Sequence, residues 1–422
     1  MKKSLLLFLL LPLISVVGAA QQPSAEVLRY IRENPRRAAF NTHSYEFHPV
    51  HDTKAPKGYK PFYISHYGRH GSRGAWGLDA YQRVQSVLTS AQAQGLLTPA
   101  GDSLLRETTL IIEGQTKMDG ELTRRGTEEH ALLARRMYRR FPEVFRKGTR
   151  KVRAASSIVP RCIVSMNAFT SSLTACQKDL QISWTTGERY MDYIGRAETT
   201  EIRERRRAIL SSVEKPLEHD SLQVLRTLFT NPDAARSLVP SLVRFERDIF
   251  TTAKIAEPFD INDTLMRYLP FDFVMDRYMS SVMRAYLGQC NSLELGDLRM
   301  RESEDLVRVL VTEADEAIAG GPVAADLCFG HDWPYLGLVS YLGLEGVGDR
   351  LDAQTARTTW MGSKYCPLAA NLQMIFYRNR SGDVLVKFLV NEQETPVRGL
   401  QPVEGPYYRW SDFKATLGIF KQ

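Results

Sequence analysis

Three short apolar runs in this chain each stop at a polar loop, and that repeated order restricts the fold more than any other feature. Phe62-Tyr63-Ile64-Ser65 runs into His66-Tyr67-Gly68-Arg69-His70-Gly71. Lys151-Val152-Arg153-Ala154 runs into Ser156-Ser157 and a helical stretch, and Leu327-Cys328-Phe329-Gly330 into His331-Asp332 and another. Short buried strands followed by helices predict an α/β sheet. A late hairpin is expected as well, because Asn371 to Tyr377 and Asp383 to Val390 flank Arg380-Ser381-Gly382.

The middle of the chain follows another period. Met275, Tyr278, Met279, Val282 and Tyr286 fall on one helix face, and Leu242, Phe245 and Ile249 make a second stripe. Such Met and aromatic stripes read as core. Residues 185–305 are therefore expected to form a helical insertion, within an α/β domain made of residues 21–184 and 306–422. The cluster Arg203 to Arg207, with Glu204 inside it, reads as a solvated helix face.

The first twenty residues read as a leader. Lys2 and Lys3 precede an apolar run from Leu5 to Val17, which ends in Gly18, Ala19 and Ala20. That is the order of a secretory signal cut after Ala20, and it predicts export to the periplasm or the medium. The alternative is an uncleaved anchor, although the run is short for a membrane span. No later stretch is long and apolar enough to span, so no membrane contact is expected after cleavage. Without Lys2 and Lys3 the chain has 53 basic and 48 acidic side chains, a formal +5. This mild excess suits an anionic small molecule, and no basic run suggests a nucleic-acid groove. No residue pattern specifies an oligomer.

The five cysteines cannot all pair within one chain, and no CxxC or Cys/His metal spacing occurs. If residues 157–173 form a continuous helix, Cys162 and Cys176 lie near its ends, about 21 Å apart and out of bonding range. Buried free thiols are the expectation. His43, His48 and His51 lie close together before the first strand and read as an exposed loop, with a metal site as the alternative. His66 stands four residues before His70, a metal-pair spacing only on a helix. His130 and His219 read as helix-surface residues.

Arg69-His70-Gly71-Ser72-Arg73 concentrates the chemistry. A phosphate monoester is a dianion, and a planar guanidinium matches its oxygens in pairs. Hydrolysis also needs a nucleophile in line with the leaving oxygen and a proton for that oxygen. Two guanidiniums flanking one imidazole supply the charge and the nucleophile. Gly71 removes a Cβ where phosphate must approach the backbone, and the loop follows a strand end, where α/β proteins place ligands. The alternative is a surface turn with two solvated arginines.

Tyr67-Gly68-Arg69-His70-Gly71-Ser72-Arg73 resembles the RHGxR signature of the histidine acid phosphatases. Glu121-Leu122-Thr123-Arg124-Arg125-Gly126 resembles that family's LTxxG segment at a helix start. Val152-Arg153-Ala154-Ala155-Ser156-Ser157 with Arg161-Cys162 resembles its second arginine segment, and Gly330-His331-Asp332 its late HD pair. Each motif is weak alone; four in order along most of the chain are specific. The resemblance implies a mixed central sheet flanked by helices with a helical domain over the site. It implies His70 as nucleophile, Asp332 as proton donor to the leaving group, and Arg69, Arg73, Arg153 and His331 as phosphate ligands, with no metal or organic cofactor. The stretch from Ser156 to Phe169 is similar to the branch holding phytases and multiple inositol polyphosphate phosphatases. His331-Asp332-Trp333, where the animal-type subgroup has His-Ala-Glu, and Gly74-Ala75 after Arg73 depart from that branch and weigh on the substrate alone.

The expected activity is phosphomonoester hydrolysis through a phosphohistidine, on inositol polyphosphates. The alternatives are a general acid phosphatase of broad specificity, a phosphate-transferring mutase of the same superfamily, and a phosphate-ester-binding protein without catalysis. Asp332 stands before Trp333-Pro334, at an expected helix start, where the helix dipole lowers its pKa and a bound phosphate dianion raises it. A plain N-cap role is the alternative. Because arginines supply the positive charge, phosphate release should continue undiminished in EDTA. Activity lost to the chelator and restored by a divalent cation would contradict the arginine-based site.

Overall fold

The computed structural model describes residues 22–195, 198–261 and 264–418. The expected leader, residues 1–20, lies outside them. Eight strands build one mixed sheet: β1 (Lys60–Arg69), β2 (Lys151–Ser156), β3 (Gln181–Thr186), β4 (Ala325–Gly330), β5 (Asn371–Arg378), β6 (Val384–Val390), β7 (Gln393–Glu394) and β8 (Tyr408–Arg409). The order is β3-β2-β4-β1-β5-β6-β7, with β8 also beside β6. From β3 to β1 all pairs are parallel, and from β1 onward all are antiparallel. Every residue of β4 is buried, as a parallel strand covered on both faces requires.

The three expected strands are present, and β1 runs four residues further than its apolar core, through His66 to Arg69. The polar letters hide the extension because these side chains are buried by their surroundings. His66 lies between Phe169 and Phe329, with ring centroids 5.0 and 5.5 Å away. The late hairpin is β5–β6, turned at Gly382 with φ +90°.

Strand alternation divides β1 between two cores. Tyr63 and Tyr67 join the larger one, while Ile64 joins the other, with Leu133, Met137, Phe169 and Leu173. The latter four come from the helices Arg124–Arg140 and Pro160–Cys176. The second of these is continuous, with Cys162 near its start and Cys176 at its end, and all five cysteines are free.

The middle stripes are helical and buried. Met275, Tyr278, Met279, Val282 and Tyr286 point inward from Phe271–Gln289, and Phe245 and Ile249 from Leu242–Ile255. The expected limits need adjustment. Residue 185 falls inside β3, and residue 305 inside the helix Gly296–Ile318. The helical layer also takes in Asp79–Ala93 and Pro99–Gln115, whose Val84, Leu88, Leu104 and Ile111 share a core with Phe245 and Ile249. Arg83 clamps Asp248 across that contact with two 2.7 Å hydrogen bonds. An apolar stripe announces burial without saying which layer it faces. Among the described residues no helix is long and apolar enough to cross a membrane.

Two glycines bring the loop after β1 onto the start of the Arg124–Arg140 helix. A Cβ on Gly71 would overlap the Gly126 backbone, and one on Gly126 would overlap the Ser72 backbone. Backbone cannot rotate aside, so Gly126→Ala should cost about 3 kcal/mol in overpacking. That exceeds the gain of about 1 kcal/mol from helix propensity. The variant should unfold at lower urea concentration; an unchanged midpoint would show that the loop is not clamped there.

Candidate active site

The ends of the adjacent parallel strands β1, β4 and β2 lie side by side, with Arg69 in register with Gly330 and Phe329 with Ser156. The chain leaves them toward His70, toward His331-Asp332 and toward Ser157. His70 N donates to Gly330 O at 2.9 Å, and His70 O accepts from Ala369 N at 2.9 Å. Gly71 N donates to Ser165 Oγ at 3.2 Å. Ser72 N and Oγ both donate to the Glu129 carboxylate at 2.7 Å. Thr123, the N-cap of the Arg124–Arg140 helix, donates its N and Oγ1 to Ser72 O at 2.9 and 3.0 Å. The loop is thus held from four directions, and catalytic geometry needs such support.

His70 is 2% exposed. Its Nδ1 lies 3.0 Å from Gly71 O, and a carbonyl only accepts, so Nδ1 carries the proton and Nε2 keeps its lone pair. Burial pushes the imidazolium form well below the usual histidine range, and the charges of Arg69, Arg161 and Arg73 push it further. His331 lies 5.7 Å away between ring centroids. Its Nε2 is 3.0 Å from Ser157 Oγ and its Nδ1 3.4 Å from Arg161 Nη2. A guanidinium only donates, so Nδ1 accepts. Burial and the Arg161 charge bring the His331 pKa to about 3.

Arg69, Arg73 and Arg161 converge here, each charge acting on His70. Burial is the first cause of the lowered pKa values of Arg73, to about 10, and of Arg161, with the Arg69 charge lowering both. The buried Nε of each of the three has no hydrogen-bond partner. Three buried guanidiniums, each with an unpaired Nε, around a neutral imidazole give the site the charge that an anion would complete.

Arg153 is a correction. It turns to Asp326 of β4, with Nε and Nη2 on that carboxylate (Nη2 at 2.9 Å) and Nη1 3.1 Å from Glu316. It stands in mid-strand in register with Asp326, and the pleat sends its side chain across the sheet rather than to the strand end. Arg161 follows Pro160 in the first turn of the helix after β2, as Asp332 stands in the first turn of the helix after β4. Position past the strand end is the signal that separates the two arginines.

Asp332 is the first residue of the helix Asp332–Tyr341, and His331 is its N-cap. Burial pushes the Asp332 carboxyl up, but Arg69, a hydrogen bond from Asn41, and the Arg73 charge together hold it below the usual range. Arg69 Nη2 is 3.3 Å from Oδ2, and Asn41 Nδ2 2.8 Å. Asn41 carries no signal in the sequence, because it arrives from a 3-10 segment 291 positions away. Glu129 was visible only as an acidic residue on the buried face with Gly126 and Leu133.

Two other histidines depart from expectation. His43 is buried, with Nδ1 2.7 Å from Glu257 and Nε2 2.8 Å from Glu46. Opposed by burial, these carboxylates raise its pKa to about 9. His130 is fully buried, edge-on to Phe329 at 5.7 Å, rather than on a helix surface.

No family model matches this chain, and no curated protein matches it in sequence. Solved structures do match in fold. A multiple inositol polyphosphate phosphatase from Bifidobacterium longum, crystallised with inositol hexasulfate, is similar at TM-score 0.70 and 17% identity, over 90% of this chain and 97% of that one. A phytase from D. castellii is similar at TM-score 0.70 and 12% identity, over 92% and 85%. A Hafnia alvei phytase in complex with tartrate is similar at TM-score 0.53 and 11% identity, over 87% and 98%. This chain therefore has the α/β fold with a helical layer that these phosphatases share.

The two arginines should separate by experiment. Arg161→Ala should weaken inorganic phosphate binding about 10–100-fold, the loss of a charge-assisted hydrogen bond. Arg153→Ala should keep phosphate affinity and lose about 1–3 kcal/mol of stability, because buried Asp326 is left short of donors. Calorimetric titration and urea unfolding read both, and the reverse pattern would restore Arg153 to the site.

Proposed function

We propose that this chain is a histidine acid phosphatase that hydrolyses phosphomonoesters through a phosphohistidine on His70. The observation that carries the reading is the group of three buried guanidiniums, each with an open Nε, around a neutral imidazole whose Nε2 lone pair is free. Arg69, Arg73 and Arg161 hold the phosphoryl oxygens. Nε2 attacks phosphorus, the bond to the ester oxygen breaks, and Asp332 gives that oxygen its proton. Water then attacks the phosphohistidine, returns a proton to Asp332, and releases phosphate and neutral His70. His331 contributes by holding Arg161 through the Nδ1 lone pair.

Asp332 is ionised in the empty site. A dianion draws on the Arg69 charge and adds like charge beside the carboxylate, and both effects raise its pKa. The productive encounter needs one proton more than the forms dominant at neutral pH, whether it rides on Asp332 or on the monoester, whose second pKa is about 6. His70 stays neutral throughout, since its own pKa is far lower.

The substrate reading is an inositol polyphosphate. Arg247, Lys254, Arg277 and Arg284 line a cavity of about 300 Å³ in the helical layer, with Glu214 its one acidic wall residue. Burial and the Arg73 charge lower the Lys254 pKa to about 8, which ties this groove electrostatically to the phosphate site. A multiply phosphorylated ring suits one phosphate at His70 and others along such a groove. The fold neighbours named for inositol polyphosphates and phytate agree with this. Export rests on the leader pattern of residues 1–20.

His70→Ala should abolish turnover, and acid-labile phosphate should appear on quenched wild type only. Asp332→Asn should lose about 10²–10⁴-fold in kcat on alkyl or inositol phosphates and far less on nitrophenyl phosphate, whose leaving group needs no proton. Equal losses on both esters would remove Asp332 from the donor role. On wild type, kcat/KM should rise as pH falls from about 8 to about 5, and a profile rising toward alkaline pH would contradict the mechanism. Turnover of simple monoesters with none of inositol hexakisphosphate would leave a general acid phosphatase.

A further inference from the structure

Among the described residues, two of the three arginines around His70 make no ion pair within 4 Å, and Asp332 acts on them only from further away. Arg69 is anchored by Asp332 and by the carbonyls of Cys366 and Pro367, at 3.1 and 2.9 Å. Arg73 donates to Gly74 O at 2.8 Å, and Arg161 to Gly120 O and His331 Nδ1, both at 3.4 Å. What these two share is Trp76. The centre of the Arg73 guanidinium lies 4.2 Å from its ring centroid and that of Arg161 5.7 Å. The indole is 62% exposed, unusually open for a tryptophan.

The loop that carries the indole is fixed. Gly74 N donates to Glu121 O, Gly120 N donates to Ala75 O, and the Gln115 amide bonds both Ala75 N and Ala75 O. The ring lies against Gly120, which has φ +68° and where a Cβ would stand 3.1 Å from three indole atoms. Glycine there lets the ring lie flat on the backbone.

We propose that Trp76 is a positioning residue that aligns Arg73 and Arg161 for phosphate by cation–π contact with both. The physical case is one of charge. A carboxylate in this place would order the arginines equally well, but it would neutralise them and compete with the phosphate dianion. A π face attracts a guanidinium without net charge and leaves both cations to the ligand. The proposal rests on the phosphate-binding part of the function proposed above, not on turnover.

The test uses inorganic phosphate as the probe, with Trp76→Phe, Trp76→Leu and Trp76→Ala in the full chain. Phenylalanine keeps a π face and should bind phosphate within about twofold of wild type. Leucine keeps apolar bulk without a π face, so it and alanine should bind about tenfold more weakly, the effect of losing two exposed cation–π contacts. With a phosphate ester, KM should rise by the same factor while kcat changes little, because the contact acts on ground state and transition state alike. Leucine binding as tightly as wild type, or a fall in kcat without a change in KM, would overturn the proposal. Wild type that binds phosphate yet turns over no ester would overturn the hydrolase reading and leave Trp76 in its place. Wild type that binds no phosphate would overturn both.

Discussion

Like charges buried side by side repel, and here three guanidiniums converge on one imidazole. Burial and mutual repulsion are what lower the pKa values of Arg73 and Arg161. Burial, together with the same charges, keeps His70 and His331 neutral. A folded chain tolerates such a cluster only if each cation is held by something else. Backbone carbonyls and Asp332 hold Arg69, while a carbonyl and an aromatic face hold Arg73 and Arg161. The open Nε donors are the residue of that arrangement, and an anion completes it.

The sheet makes the convergence affordable. Three parallel strands end at one level, so loops far apart in sequence meet without long excursions. The glycine contact between residues 71 and 126 then locks the loop after β1 against a helix that also supplies Glu129. The helical layer brings its own cations, Lys254 among them. A cavity of about 820 Å³ lies elsewhere, lined by Tyr30, Glu46, Glu345 and Tyr365. Its mixed acidic and basic wall lacks the convergent donors that distinguish the His70 site.

Asp332 joins the two halves of the proposed chemistry. Its carboxylate anchors Arg69 when the site is empty, and in the proposed reaction it supplies the proton when phosphate has taken that arginine over. The coupling comes from one short distance, 3.3 Å, between the carboxylate and a guanidinium that also faces the ligand.

What could be read from the letters was local and periodic. The strand-loop-helix order, the stripes of the two long helices, the β5–β6 hairpin and the His70 loop are all patterns within about twenty neighbouring residues. Their physical cause, side-chain alternation in strands and the helical repeat, acts over the same range. The leader reading is of that kind too, although it falls outside the described residues. Contacts between distant segments were not legible. Arg153 and Arg161 share one segment, and although their places relative to the strand end differ, the partner that takes Arg153, Asp326, lies 173 positions away. His130 and His43 look like surface residues until Phe329, Glu46 and Glu257 enclose them. Asn41 meets Asp332 across 291 positions. Burial and charge balance at a site are properties of what surrounds a side chain, and those surroundings exist only once the sheet has gathered its strands.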